Sequence, residues 1–148
     1  MSSNAYASAA ARAVRPGPDA DPRDIDAWAL GQAANKLMVA MSSPGDVALL
    51  QEAVSTNQRL WTIFQADVAS DQCQMPLDVR KNILQLSLYV DKQSMERLID
   101  RDAEKLRILI DINVNLAAAL RESRQSGEPI KQVPATPNQT ATGVAFQV

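Results

Sequence analysis

Histidine is absent from this 148-residue chain, and cysteine occurs once, at Cys73. The first absence removes the commonest general base and the commonest metal ligand. The second excludes an intramolecular disulfide and fits a reducing compartment. Cys73 lies in Ser70-Asp71-Gln72-Cys73-Gln74, with no base beside it in sequence to activate the thiol, so it reads as a tolerated loop residue. Only five glycines are present, too few to suggest a phosphate-cradling loop. Aromatics make up 4% of a chain that is 46% hydrophobic, so a core has to be built from Leu, Ile, Val, Met and Ala.

Charge of one sign is also missing in bulk. The net charge is −2, and the charged residues are interspersed. Without a basic block to neutralise phosphates, direct binding to RNA or DNA is not expected. No apolar run approaches the roughly 18 residues that span a bilayer, and no positive flank precedes an apolar segment at the N-terminus. The chain is therefore expected in the cytoplasm, away from membrane. No nucleophile elbow, histidine–carboxylate pair or metal-ligand spacing is present, so neither catalysis nor a cofactor is expected. The cluster Asp100, Asp102 and Glu104 reads as a solvated charged face.

What is present is helical periodicity, and the fold class it implies is all-α, a small bundle of about four helices. Residues 1–20 are alanine-rich and then broken by Pro16-Gly17-Pro18, and read as a mobile arm. Residues 21–122 read as the helical domain. Asp21 and Pro22 start the first helix as cap and first residue, and Ile25, Trp28, Ala29, Ala33, Leu37, Ala40 and Met41 recur along it. Ser43-Pro44-Gly45-Asp46 separates it from a second helix expected over about Pro44 to Ala69. Pro76 opens a third, whose Val79, Ile83, Leu84, Leu86, Leu88 and Val90 cover a wide arc and predict burial on more than one side. A break is expected near Asp100-Arg101-Asp102, then a last helix from about Ala103 to Glu122. Residues 123–148, rich in Pro, Thr, Gln and Ala, read as a disordered tail.

Leu60, Trp61, Phe64, Leu106 and Ile110 are the expected core. Asn57 falls at the centre of the second helix's apolar arc and Asn113 at the centre of the last one's. A buried amide without partners costs about 1–3 kcal/mol, so the two are expected to lie near one another across a helix contact. They read either as a polar clamp fixing helix register or as a contact with a partner chain. A second apolar strip on the last helix, Ile108, Ile112 and Ala119 with Asn115 among them, has two readings. It is covered because the helix is central, or it is an exposed groove for a partner helix, to which Trp28 would add a rim.

Several blocks, taken in order, resemble the flagellar biosynthesis regulator FlaF family. They are Asn4-Ala5-Tyr6, then Pro22-Arg23-Asp24-Ile25-Asp26-Ala27, then Asn57-Gln58-Arg59-Leu60-Trp61-Thr62-Ile63-Phe64-Gln65. Pro76-Leu77, Asn82 to Ser87 and Val90-Asp91-Lys92 follow, then Glu104-Lys105-Leu106 and Leu109 to Ala117. The resemblance covers about Asn4 to Arg121. It implies a protein of flagellar systems that promotes flagellin synthesis or secretion, with flagellin as partner and the translation regulator FlbT acting in the opposite sense. It implies no catalytic residues. Two functions follow as expectations: a cytosolic flagellin-binding export chaperone, or a post-transcriptional regulator of flagellin expression acting with FlbT. Flagellin's ends, helical in the assembled filament and poorly ordered before it, suit a groove lined by apolar helix faces. The sequence leaves the oligomeric state open.

Overall fold

The computed structural model describes residues 14–130, so part of the expected arm and most of the expected tail lie outside the described residues. Four α-helices are present: α1 (Pro22–Met41), α2 (Val47–Ala69), α3 (Leu77–Asp100) and α4 (Arg107–Ser126), with a 3-10 turn at Ala103–Leu106 before α4. No strand occurs among the described residues.

Local chemistry sets the boundaries. The Asp21 carboxylate accepts from the Arg23 backbone N–H, and Pro22 occupies the first turn, where its missing N–H costs nothing. The Asp46 side chain accepts from the Leu49 N–H, so α2 starts after Pro44 and Gly45, which form the turn instead of the helix start. The break expected near Asp100 is sharp. Arg101 takes a left-handed conformation at φ 56°, and the Asp102 side chain then accepts from the Glu104 N–H. A non-glycine residue there is uncommon. It ends α3 and lets the chain turn back, but the first turn beyond is 3-10, so α4 proper starts at Arg107.

The packing follows a simple up-and-down order. α1 packs most extensively against α4, α2 lies beside α1, and α3 beside α2. Ala27, Gly31 and Ala34 lie buried at helical spacing on α1, and small side chains of this kind let a neighbouring axis come close. Arg23 at the start of α1 meets Ser123 at the end of α4, so these two run antiparallel. Gln65 of α2 reaches Ser87 and Asp91 of α3, and Arg80 donates to the Val68 carbonyl, so α2 and α3 are antiparallel as well. One core spans all four helices. Trp61, Leu30, Leu37, Leu106, Leu109 and Ile110 are fully enclosed in it, Phe64 is buried, and Leu60 is half-buried at its margin.

The C-terminal boundary expected at residue 122 is moved outward by the structure. α4 continues to Ser126, Gly127 caps it at φ 73°, and Ile130 returns into the core at 6% exposure. The extension is held from far away in sequence. The Arg23 guanidinium donates to the Ser123 carbonyl and hydroxyl and to the Glu128 carbonyl, while Arg124 pairs with Asp24 at 3.3 Å. A cation against the last carbonyls of a helix also complements its dipole.

At this same end of the bundle, a small cavity of about 30 Å³ is lined by Asp26, Phe64, Asp67, Val68, Met75, Ile83, Leu116 and Leu120. Burial, aided by the Asp67 charge, pushes the Asp26 carboxyl up to about 6 from 3.8. An acid whose folded pKa exceeds its unfolded value binds its proton more tightly when folded. The native state therefore loses stability as pH rises through the interval between those two values. Asp26→Asn is expected to stabilise the protein at neutral pH by about 1–2 kcal/mol, after allowance for partial solvent screening. The gain should shrink as pH falls below about 6 and vanish only below 3.8, where the unfolded carboxyl is protonated as well. Urea denaturation across this pH range reads the difference directly.

Candidate docking face

The arrangement at the bundle centre begins with one chemical constraint. An indole nitrogen only donates. Trp61 Nε1 donates to Asn113 Oδ1 at 2.9 Å, which fixes the orientation of the Asn113 amide. Asn113 Nδ2 is thereby aimed at α2 and donates to Asn57 Oδ1 at 2.6 Å. The three polar groups form a directed chain from α2 to α4 and back, and all three residues are 0% exposed. It ends at Asn57 Nδ2, which has no hydrogen-bond partner among the described residues. Trp61 also sets its ring edge-on to Phe64, with centroids 5.4 Å apart and planes at 90°. The two asparagines are adjacent, enclosed and turned toward each other, an arrangement of a clamp between α2 and α4 and not of a surface that meets another chain.

The strip on α4 does not make a groove. Ile112 is 3% exposed and belongs to the core, as does Val114 on the opposite flank. Ile108 and Ala119 are half-buried against the core, and only Asn115 is exposed. The apolar arc of α4 is wide because the helix is covered on both flanks, so an exposed strip of Ile108, Ile112 and Ala119 is ruled out by burial of its middle residue. Ala119 edges a cavity of about 440 Å³ whose other walls are Glu122, Ser123, Ser126 and Glu128 to Ile130. Those walls are polar and apolar in about equal measure. Trp28 is half-buried, with the Arg15 guanidinium 5.4 Å from its ring centroid, so residues before α1 already lie over it.

Among the described residues, α3 carries a line of exposed apolar side chains. Val79, Ile83, Leu86, Val90 and Arg97 point inward. On the opposite side Leu77, Leu88, Met95 and Ile99 are 63%, 47%, 59% and 80% exposed. At 100° per residue these four and Leu84 lie within about 40° of one line down the helix. The expectation that α3 is buried on more than one side is thus corrected: one arc meets the core and the other meets solvent. Beside this line α2 contributes Thr62, Ala66 and Ala69, all exposed and all small. Between the two helices runs an open groove of about 1100 Å³, lined by Thr62, Gln65, Ala66 and Ala69 from α2 and by Lys81, Leu84, Gln85, Ser87, Leu88 and Asp91 from α3.

The groove's floor is fixed by hydrogen bonds. Gln65 Nε2 donates to Ser87 Oγ at 2.9 Å and to Asp91 Oδ2 at 3.1 Å, and Ser87 Oγ donates to the Leu84 carbonyl at 2.7 Å. Gln65, Ser87 and Asp91 are thus occupied with one another, and much of the surface beside them is apolar. Ile63, 57% exposed, lies on the outer side of α2. An open channel with small residues on one bank and leucines on the other accepts a ridge of side chains spaced three and four apart, the pattern of an amphipathic helix. It does not enclose a small molecule in the way ligand pockets do.

Among the described residues no helix is long and apolar enough to cross a membrane, and no group of three or more carboxylate or thiol side chains is placed to hold a metal ion. A family model described as flagellar protein FlaF matches residues 2–120 of the chain. Searches of curated proteins and of solved structures returned no match.

Proposed function

Because the chain belongs to the FlaF family of flagellar proteins, we propose that it is a flagellin-binding export chaperone of the cytosol. In this reading it takes a helical segment of flagellin into the channel between α2 and α3. The observation that carries the reading is the solvent-facing apolar line of α3 beside the small residues of α2. An amphipathic flagellin segment laid there would bury the face it later uses in the filament, which keeps subunits apart until export. The remainder of the molecule serves this face as a scaffold. The core is complete without α3's outer arc, and the Trp61–Asn113–Asn57 chain holds α2 in register with the α1–α4 pair.

Calorimetric titration of purified, unassembled flagellin into the protein tests this, with FlbT titrated in parallel. Binding to flagellin in the micromolar range or tighter is the expected result. Binding to FlbT alone would replace the chaperone reading with that of an adaptor in translational control of flagellin.

A further inference from the structure

We infer that the exposed face of α3 also seats a second copy of this chain, α3 against α3 in antiparallel order, about a two-fold axis at Leu88. A two-fold interface has to be complementary to itself, and the outer arc of α3 is. Leu77 stands eleven residues before Leu88, and Ile99 eleven residues after it. Reversing the helix about Leu88 therefore lays Leu77 of each copy beside Ile99 of the other and leaves the two Leu88 side chains in contact at the axis.

The charges obey the same reversal. Lys81, exposed on this line, comes level with Met95 and next to Glu96 of the second copy, whose side chain is 44% exposed. Lys92 comes level with Leu84 and beside Gln85. Each cross-copy contact occurs twice by symmetry, and no two like charges fall level along the line. The size fits a reversible association. A helix of 24 residues is about 36 Å long, and one such helix face with the adjoining residues of α2 reaches the lower end of stable interfaces, about 1,200 Å² in total. The second copy would shield the apolar face at rest. That it competes with a flagellin segment rests on the function proposed above; self-association itself does not.

Sedimentation equilibrium of the full chain alone, over a wide concentration range, tests the inference, with circular dichroism confirming that each variant folds. The wild type is expected to form dimers with a micromolar constant. Leu88→Glu sets two carboxylates together at the axis and should leave only monomer. Lys81→Glu turns both contacts with Glu96 repulsive and should weaken association about tenfold. Gln85→Glu adds two ion pairs with Lys92 and should tighten it severalfold, a gain that damage to the fold does not produce. A wild type that stays monomeric at the highest concentration overturns the inference, and so does a dimer indifferent to all three substitutions. No flagellin is present in this experiment, so either result leaves the flagellin titration to stand or fall separately.

Discussion

Replacing Asn113 by Leu is expected to cost about 2–5 kcal/mol, although leucine has the same branched outline as asparagine. The substitution strips the acceptor from the Trp61 indole N–H and the donor from Asn57 Oδ1. Both groups then remain enclosed with nothing to bond, and each such loss costs about 1–3 kcal/mol. A domain of this size has only about 5–15 kcal/mol of stability to lose. Asn57→Leu should be far milder, because it removes an amide nitrogen that already lacks a partner and orphans only Asn113 Nδ2. The double variant should be more stable than Asn113→Leu alone, since Asn57 is then no longer a buried amide without a partner. Urea denaturation of the three variants measures the order. If Asn57→Leu proves the more damaging single change, the hydrogen-bond direction set by Trp61 is wrong.

The second large effect separates the two apolar faces. Ile112→Glu places a charge at a position that is 3% exposed in the core, and a buried charge costs several kcal/mol. This variant is expected to be largely unfolded. Ala66→Glu changes an exposed residue in the channel between α2 and α3 and should leave thermal stability within about 0.5 kcal/mol of the wild type. It should nevertheless abolish flagellin binding in the calorimeter. A folded Ile112→Glu protein that has lost flagellin binding would return the docking surface to α4. An Ala66→Glu protein that binds as the wild type does would remove it from α2 and α3.

The contrast between Ile112 and Leu88 shows where the sequence is informative. The start of α1 was legible because its chemistry is local: Asp21 caps within two residues, and a proline at the first position needs nothing beyond its own ring, whereas Pro44 stands in the turn that Asp46 closes and α2 starts only at Val47. The Asn57 and Asn113 placement was legible for a different reason. Each stands at the centre of an apolar arc, and a buried amide requires a partner, so two such residues imply one another. The outer arc of α3 was not legible, because periodicity reports how wide an apolar arc is and not what covers it. Leu88 and Ile112 look alike in a helical projection. Only packing distinguishes an arc closed by neighbouring helices, as on α4, from one left to solvent, as on α3.

The end of the domain was hidden for the same reason. Ser123 to Ser126 are polar and read as tail, yet Arg23, one hundred residues earlier, binds Ser123. The raised carboxyl of Asp26 likewise depends on its burial in the folded bundle, aided by Asp67 on another helix.

The measurement that tests the central claim most directly is amide hydrogen exchange of the protein with and without unassembled flagellin. If the channel between α2 and α3 is the docking face, residues 62–69 and 81–91 gain protection in the complex, and the stretch around Ile108, Asn115 and Ala119 is unchanged. Protection confined to α1 and α4, with 62–69 and 81–91 exchanging as in the free protein, would contradict it.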